Sequence, residues 1–326
     1  MKVKYLIIGC GIGGLSAAAA LKESGLEDFL IVDKTSEVPL NLHNGVHYLH
    51  SDNFGTPFKF ELKEIVSTEE IWDPRKDVFK KQAHIPEMID YSLKVMNLRH
   101  PSSIMDPGSR PWKTYIPLSN NMNDLLAAYR DYIGLDKFKF NMKLSAVNIL
   151  DKIATFEVDD VFTSIEYDYL IETAPLNLFM KMSKCPIEKE FKFQTIHITN
   201  YKTVGIVPNW LISMYISDSY EFPPYRITIL NNIISMESLD KMSMIDEHIV
   251  HYHLKRYFDY DLTSKENYAW ETGRIWGLSK PEREEIVGMY NKLNIYPIGR
   301  YGQWDGKLTM DTTIIQSKEV VKELIK

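Results

Sequence analysis

Three glycines, Gly9, Gly11 and Gly14, stand in the order G-x-G-x-x-G within "KYLIIGCGIGGLSAAAALKESG". In that spacing the first permits a tight turn, the second lets backbone approach a pyrophosphate, and the third lets a helix pack close to a strand. Asp33 ends "DFLIVD", at the distance where a carboxylate accepts hydrogen bonds from ribose hydroxyls. The free N–H groups and positive dipole end of the helix that follows would face the phosphates. The set reads as a dinucleotide site, and an acid at this position places NAD or FAD ahead of NADP.

Other residues carry possible chemistry further along. His47 and His50 titrate near neutral pH, which suits them to orient a ring or move protons. Trp112, Trp270, Trp276 and Trp304 offer aromatic faces, with Trp304 favoured as a pocket wall because it follows the turn "GRYGQWDGKLT". His248, His251 and His253 lack both the H-E-x-x-H spacing and a nearby cysteine, so they read as a helix face and not as a metal site. There is no G-x-S-x-G elbow or Walker loop to support a hydrolase or an NTPase.

These residues need a scaffold. Tyr5 to Ile8 and Phe29 to Val32 read as buried strands joined by an alanine-rich helix, a βαβ unit that sets the class as α/β with a parallel sheet. Residues 39–117 read as irregular, with one helical pattern near Pro86 to Met96. "NNMNDLLAAYRDYIG" predicts a helix ending near Ile133, and the run after it predicts an antiparallel meander returning to a buried strand at Tyr169 to Glu172. A second β-rich block covers 195–236, followed by a helical pattern over 238–258. The chain closes on a strand at Leu293 to Ile298, a glycine turn, and a helix from Met310.

The bulk numbers agree with a globular protein. The chain has 326 residues, 44% hydrophobic and 25% charged, with a formal net charge of -6 that gives no general attraction to phosphate backbones. Bulk nucleic-acid binding is not expected. Two cysteines, Cys10 and Cys185, provide no disulfide framework and fit a reducing cytoplasm. The apolar run at the start is short and broken by glycines, unlike a leader or a membrane span.

Several segments resemble the flavoprotein superfamily that includes flavin amine oxidases, protoporphyrinogen oxidase and UDP-galactopyranose mutase. "YPIGRYGQWDGKLTMD" resembles its C-terminal motif, with Gly299 and Arg300 in place. "YDYLIETAPLNLF" is similar to its strand and Pro-containing turn, and "YIPLSNNMNDLLAAY" to its Pro-x-Gly-Gly-Met-x-x-Leu segment. "HNGVHYLHSDN" and "PPYRITILNN" resemble mutase segments that pass beside the flavin and carry an active-site arginine, here Arg226. The resemblance implies FAD, bound through Gly9, Gly11, Gly13, Gly14, Asp33, Lys34, Gly45, Val147, Gly299, Arg300, Thr309 and Met310, with His47, Arg226 and Trp304 in catalysis. It implies a Rossmann-like FAD-binding domain from 1–55, 120–185 and 290–326, interleaved with a smaller α+β substrate or cap domain from 56–119 and 186–289.

Two departures stand out. The paired glycines usual after the ribose-binding acid are replaced by "TSEVPLNLHN", and "DGKLTMD" keeps the acid Asp311 without the tyrosines of the mutases. The leading reading is an oxidoreductase in which a small molecule bearing an amine or hydroxyl gives hydride to the flavin. The alternative is a non-redox mutase or lyase acting on a sugar or nucleotide-like substrate through flavin N5.

Overall fold

The computed structural model describes residues 1–42, 46–73, 78–80, 85–96, 113–205, 211–216 and 222–325; Gly45 and Trp112 lie outside them. The first unit is β1 (Lys2–Ile8), α1 (Ile12–Glu23) and β2 (Phe29–Val32), with the two strands parallel. A parallel βαβ crossover of this kind places the helix N-terminus at the C-terminal end of the first strand. Next come β3 (Leu62–Ile65), β4 (Ser67–Asp73), β5 (Val78–Lys80), α2 (Ile85–Met96), β6 (Thr114–Pro117) and α3 (Asn123–Ile133). β7 (Phe138–Lys139), β8 (Lys143–Asn148), β9 (Ile153–Val158) and β10 (Val161–Glu172) lead to α4 (Leu176–Met182).

The second half holds β11 (Phe193–Gly205), β12 (Leu211–Tyr215), β13 (Pro224–Leu230), β14 (Ile233–Ser238), α5 (Met244–Leu254) and β15 (Tyr260–Ile275). α6 (Lys280–Asn291), β16 (Ile295–Pro297), the helical turn α7 (Gly299–Gly302) and α8 (Met310–Leu324) complete it.

Two large sheets carry the structure. In the first, ordered β7-β2-β1-β10-β9-β8, the long β10 changes partners along its length. Its first half pairs antiparallel with β9, and its second half lies parallel between β1 and β16. The meander is thus continuous with the parallel core, as the run of apolar residues at Tyr169 to Glu172 requires of a strand buried on both faces. Tyr5, Ile7 and Ile171 face a core with α1, α3 and α8, while Leu6, Ile8 and Leu170 face a second core holding α4 and α6 residues. The four consecutive alanines of α1 allow close approach, and α8 crosses it with Ser16 and Ser317 hydroxyls 2.8 Å apart.

The second sheet is ordered β15-β11-β14-β13-β12-β4-β5. Val250 and Leu254 of α5 pack on one face, and Tyr91 and Val95 of α2 pack on the other with Ile196 and Ile198.

Three sequence expectations change. The helix over 238–258 shrinks to α5, because Ser243 caps its start and exchanges hydrogen bonds with Asp246. The segment 39–117 holds β3, β4, β5 and β6 besides α2, so it is less irregular than its composition indicates. The 16-residue β15 went unread because its outward side chains, such as Asp261, Lys265 and Glu266, give no apolar alternation; pairing with β11 makes it a strand. No helix among the described residues is long and apolar enough to cross a membrane.

Candidate functional site

The glycine turn is shaped by what surrounds it. Gly9 has φ +95°, a left-handed value that favours glycine, and its N–H donates to Val32 O at 2.8 Å. A Cβ at Gly9 would lie 2.3 Å from Thr173 Oγ1, and one at Gly14 would lie 1.9 Å from Gly9 O. Gly11 is different: a Cβ there meets nothing within 4 Å. It also caps α1 without any side-chain hydrogen bond, which leaves the first-turn N–H groups without a capping side chain. Two glycines make the turn and one leaves room for a ligand, which is the cradle a pyrophosphate needs.

Asp33 is held beside this turn. Its Oδ2 accepts from Cys10 N–H at 2.7 Å, and its Oδ1 accepts from Thr35 N–H at 2.9 Å and Thr35 Oγ1 at 2.7 Å. Burial, reinforced by the Asp33 carboxylate, pushes the Cys10 thiol well up, so it stays protonated and is no nucleophile. Lys34 is exposed next to it. The start of the meander also joins here: Asn141 N–H donates to Thr35 O at 2.8 Å and Met142 N–H to Asp33 O at 2.9 Å. Val147 pairs with Ala154 further along β8 and is 5% exposed. The meander residues whose backbone bonds to the Asp33 turn are Asn141 and Met142, six and five places before Val147. A sequence without a fixed register at Asn141, where φ is +55°, does not reveal this.

The C-terminal turn meets the first one. Gly299 has φ +78°, and its N–H donates to Gln316 Oε1 at 2.8 Å. The Thr313 methyl lies 3.5 Å from a Cβ built on Gly13 and 3.3 Å from one on Gly299, so this threonine touches both turns. Thr309 caps α8 in a box with Thr312, and Met310 begins the helix half-buried. Asp311 follows, 5% exposed, with Oδ1 lacking a hydrogen-bond partner. Burial lowers the pKa of His50, with the Asp311 charge opposing that shift, which leaves the ring neutral at pH 7.

Trp304 is corrected. It has no exposed surface, and its ring meets the edges of Phe191 at 5.0 Å and Phe193 at 6.0 Å. The residue after a turn is as readily turned into the core as out of it, and here it fills the core beneath the first sheet instead of walling a pocket.

The second sheet brings charges together. Arg226 on β13 faces Glu237 on β14, with Nε 3.0 Å from Oε1 and a second bond from Nη2. Tyr225 OH donates to the other Glu237 oxygen at 2.6 Å, and the Arg274 guanidinium lies 5.5 Å over the Tyr225 ring. Burial pushes the Glu237 carboxyl up, but Arg226 and Tyr225 outweigh it and the net shift is downward. Burial lowers the pKa of Arg300; Tyr301 opposes this, while the charges of Arg274 and Arg226 reinforce it. Arg300 Nε is buried without an acceptor. Three guanidiniums are thus close enough to act on one another, and Arg226 is the one paired with the Glu237 carboxylate.

His47 stacks on Trp270, with ring centroids 5.8 Å apart and planes at 16°. Trp270 packs against the cluster that holds Tyr225, and Arg274 lies over the Tyr225 ring, so the two β15 residues meet the same neighbour. Beside the Arg226–Glu237 pair, the next rung of the sheet is polar: Ser213 faces Thr228, Thr228 faces Ser235, and Ser235 faces Asn200. All four are at most 7% exposed, and Ser213 Oγ and Ser235 Oγ have no hydrogen-bond partner. A cavity of about 290 Å³ opens at the outer end, lined by Asn200, Lys202, Ile233, Ser264, Glu266 and Tyr268.

Arg274, Glu237, Tyr225 and this polar rung were missed from sequence. One signal was available. Counting outward from the "NN" turn between Leu230 and Ile233 pairs Arg226 with Glu237 and Thr228 with Ser235. The three histidines of α5 do not converge. His251 is buried, its Nδ1 is 2.8 Å from Tyr260 OH, and burial lowers its pKa to about 4 against the opposing Glu247 charge. Among the described residues no group of ligands could hold a metal ion.

No family model and no curated protein matches the chain. Solved structures do. Reduced UDP-galactopyranose mutase superposes with a TM-score of 0.73 at 15% identity, covering 100% of this chain and 94% of that one. A protein from Exiguobacterium sp. 255-15 designated a protoporphyrinogen oxidase gives 0.63 at 10% identity, covering 99% and 98%. A fatty acid isomerase from P. acnes that produces CLA gives 0.59 at 14%, covering 99% of both chains. Identities of 10 to 15% carry the fold alone, and the fold of this chain is the Rossmann-like α/β fold of UDP-galactopyranose mutase and its structural relatives.

Proposed function

We propose that the chain is an FAD-dependent oxidoreductase acting on a small substrate that carries both a negative charge and a hydroxyl group. The observation that carries this reading is the clustering of the Arg226, Arg274 and Arg300 guanidiniums, whose charges act on one another beside Glu237. Like charges gathered in a partly buried cluster raise the local positive potential, so the site favours an anion. It disfavours an amine, whose ammonium form the arginines would repel.

The residues at the two glycine turns fit FAD. The open side of Gly11 and the uncapped start of α1 would receive the pyrophosphate, Asp33 the ribose, and Gly299, Arg300 and the start of α8 the ring. When bound, FAD supplies a hydride acceptor whose negative charge on reduction is offset by a positive group or dipole. The chain's own work is then to hold and deprotonate. The arginines would fix the anionic group, the polar rung would hydrogen-bond hydroxyls, and His47, steadied by Trp270, would take the hydroxyl proton.

A second reading keeps the same substrate but no net redox change, as in a mutase or lyase. The two unpartnered hydroxyls of Ser213 and Ser235 support it, since hydrogen-bonding groups in line suit a ring that carries hydroxyls. The first test is the absorbance of the purified protein: a yellow protein supports FAD, and a colourless one that binds NAD sinks it. Anaerobic mixing with anionic hydroxy compounds should then bleach the flavin. Turnover that needs prior dithionite reduction and leaves the flavin reduced would select the second reading.

A further inference from the structure

β10 ends at Glu172, and the next residue, Thr173, touches both glycine turns. Its hydroxyl donates to Ile8 O at 2.6 Å, and its own N–H reaches the same oxygen at 3.2 Å. Held there, Thr173 Oγ1 lies 2.3 Å from a Cβ built on Gly9, and the Thr173 methyl lies 3.5 Å from one on Gly13. On the other side, a Cβ on Gly302 would lie 2.9 Å from Glu172 O and 3.6 Å from Thr173 Cα. Ile298 N–H donates to the same Glu172 O at 2.9 Å. One short strand end therefore carries the first turn and the last.

On the reading that these turns hold a dinucleotide, we propose that Thr173 is a positioning residue for the cofactor. Its hydroxyl fixes the first glycine turn against the end of β10, and with it the N–H groups that meet the pyrophosphate. The turn has little room to absorb a change at this contact. Gly9 N–H is held by Val32 O at 2.8 Å, and Gly9 O lies 1.9 Å from a Cβ built on Gly14. Cys10 N–H is bonded to Asp33 Oδ2 at 2.7 Å. A group larger than a hydroxyl that presses on Gly9 must shift Cys10 and Gly11 with it, because a packed turn transmits displacement. Several N–H groups grip a pyrophosphate at once, so a small shift weakens all of those bonds together.

Valine is the informative replacement at this position. It has the shape of threonine and suits an extended strand end, and Ile8 O keeps the backbone N–H of residue 173 as a donor, so folding loses little. A methyl stands in place of the hydroxyl and cannot approach Ile8 O or Gly9 as closely.

The test is calorimetric titration of FAD, and separately of NAD, into flavin-free protein, beside melting curves of the same samples. Thr173→Val should raise the FAD dissociation constant about tenfold while melting within about 3 °C of the wild type. Thr173→Ser, which keeps the hydroxyl, should bind FAD within about twofold of the wild type. Equal affinity in the wild type and Thr173→Val overturns the proposal. So does an equal loss in Thr173→Val and Thr173→Ser, or a loss in Thr173→Val matched by a collapse of its melting curve, since each marks a residue that serves packing alone. If the wild type binds NAD and no FAD, the FAD assignment falls, and the same variants decide the role of Thr173 on NAD. A wild type that binds neither overturns both.

Discussion

Arg226 and Glu237 face each other on neighbouring strands of the second sheet, with Arg226 Nε 3.0 Å from Glu237 Oε1, and the opposite carboxylate oxygen accepts the Tyr225 hydroxyl at 2.6 Å. The carboxylate is 10% exposed at its side chain, so it depends on these donors for its charge. Arg226→Ala should lower folding stability by about 3 kcal/mol, since it strands a buried carboxylate. Glu237→Gln should act oppositely on anions: with the negative charge beside Arg226 removed, inorganic pyrophosphate should bind tighter and raise the melting temperature more than in the wild type. Weaker pyrophosphate binding in Glu237→Gln would contradict the anion-site reading.

Gly11 and Gly14 should respond differently to alanine. At Gly14 the new methyl collides with Gly9 O at 1.9 Å, so the turn must shift and stability should fall by about 3 kcal/mol or more. At Gly11 the methyl enters open space. Gly11→Ala should therefore melt like the wild type in flavin-free form yet retain much less flavin through gel filtration, because the methyl occupies the approach of the pyrophosphate.

Glu172 lies at the end of β10 with no exposed surface, and burial raises its pKa to about 8 despite the hydrogen bond from Ala174 N–H. The unfolded chain loses this proton near the ordinary carboxyl pKa, while the folded chain keeps it until about pH 8. Stability from this group is therefore complete at low pH and declines as pH rises through that window, by about 4 kcal/mol between pH 5 and 8. Urea midpoints measured across this range should show the decline, and Glu172→Gln, which keeps an acceptor for Ala174 but cannot ionise, should remove it.

Ser213 and Ser235 each bury a hydroxyl without a partner. Replacing either by alanine removes an unmade hydrogen bond and should stabilise the ligand-free protein by about 1 kcal/mol. If the rung binds substrate, the same variants should raise KM while leaving flavin absorbance unchanged. Destabilisation of the free protein by Ser235→Ala would show that the hydroxyl is already satisfied.

The first glycine turn was legible because local sequence is enough to define it. Glycines at fixed offsets, a small-residue helix and an acid at the strand end all lie within one βαβ unit, where the chain has few other ways to satisfy its backbone. The short strand at Ile295–Pro297 and α8 were legible for the same reason. What the sequence could not determine is which distant elements share a site. Arg274 lies 48 residues beyond Arg226 and comes beside it only because β15 pairs with β11, β11 with β14, and β14 with β13. Trp304 is turned into the core, and Asn141 and Met142 bond to the Asp33 turn, through packing choices that no periodicity encodes. Local spacing determined where a dinucleotide can lie; long-range strand pairing decided that three arginines, one glutamate and a row of hydroxyls stand together as a candidate substrate site.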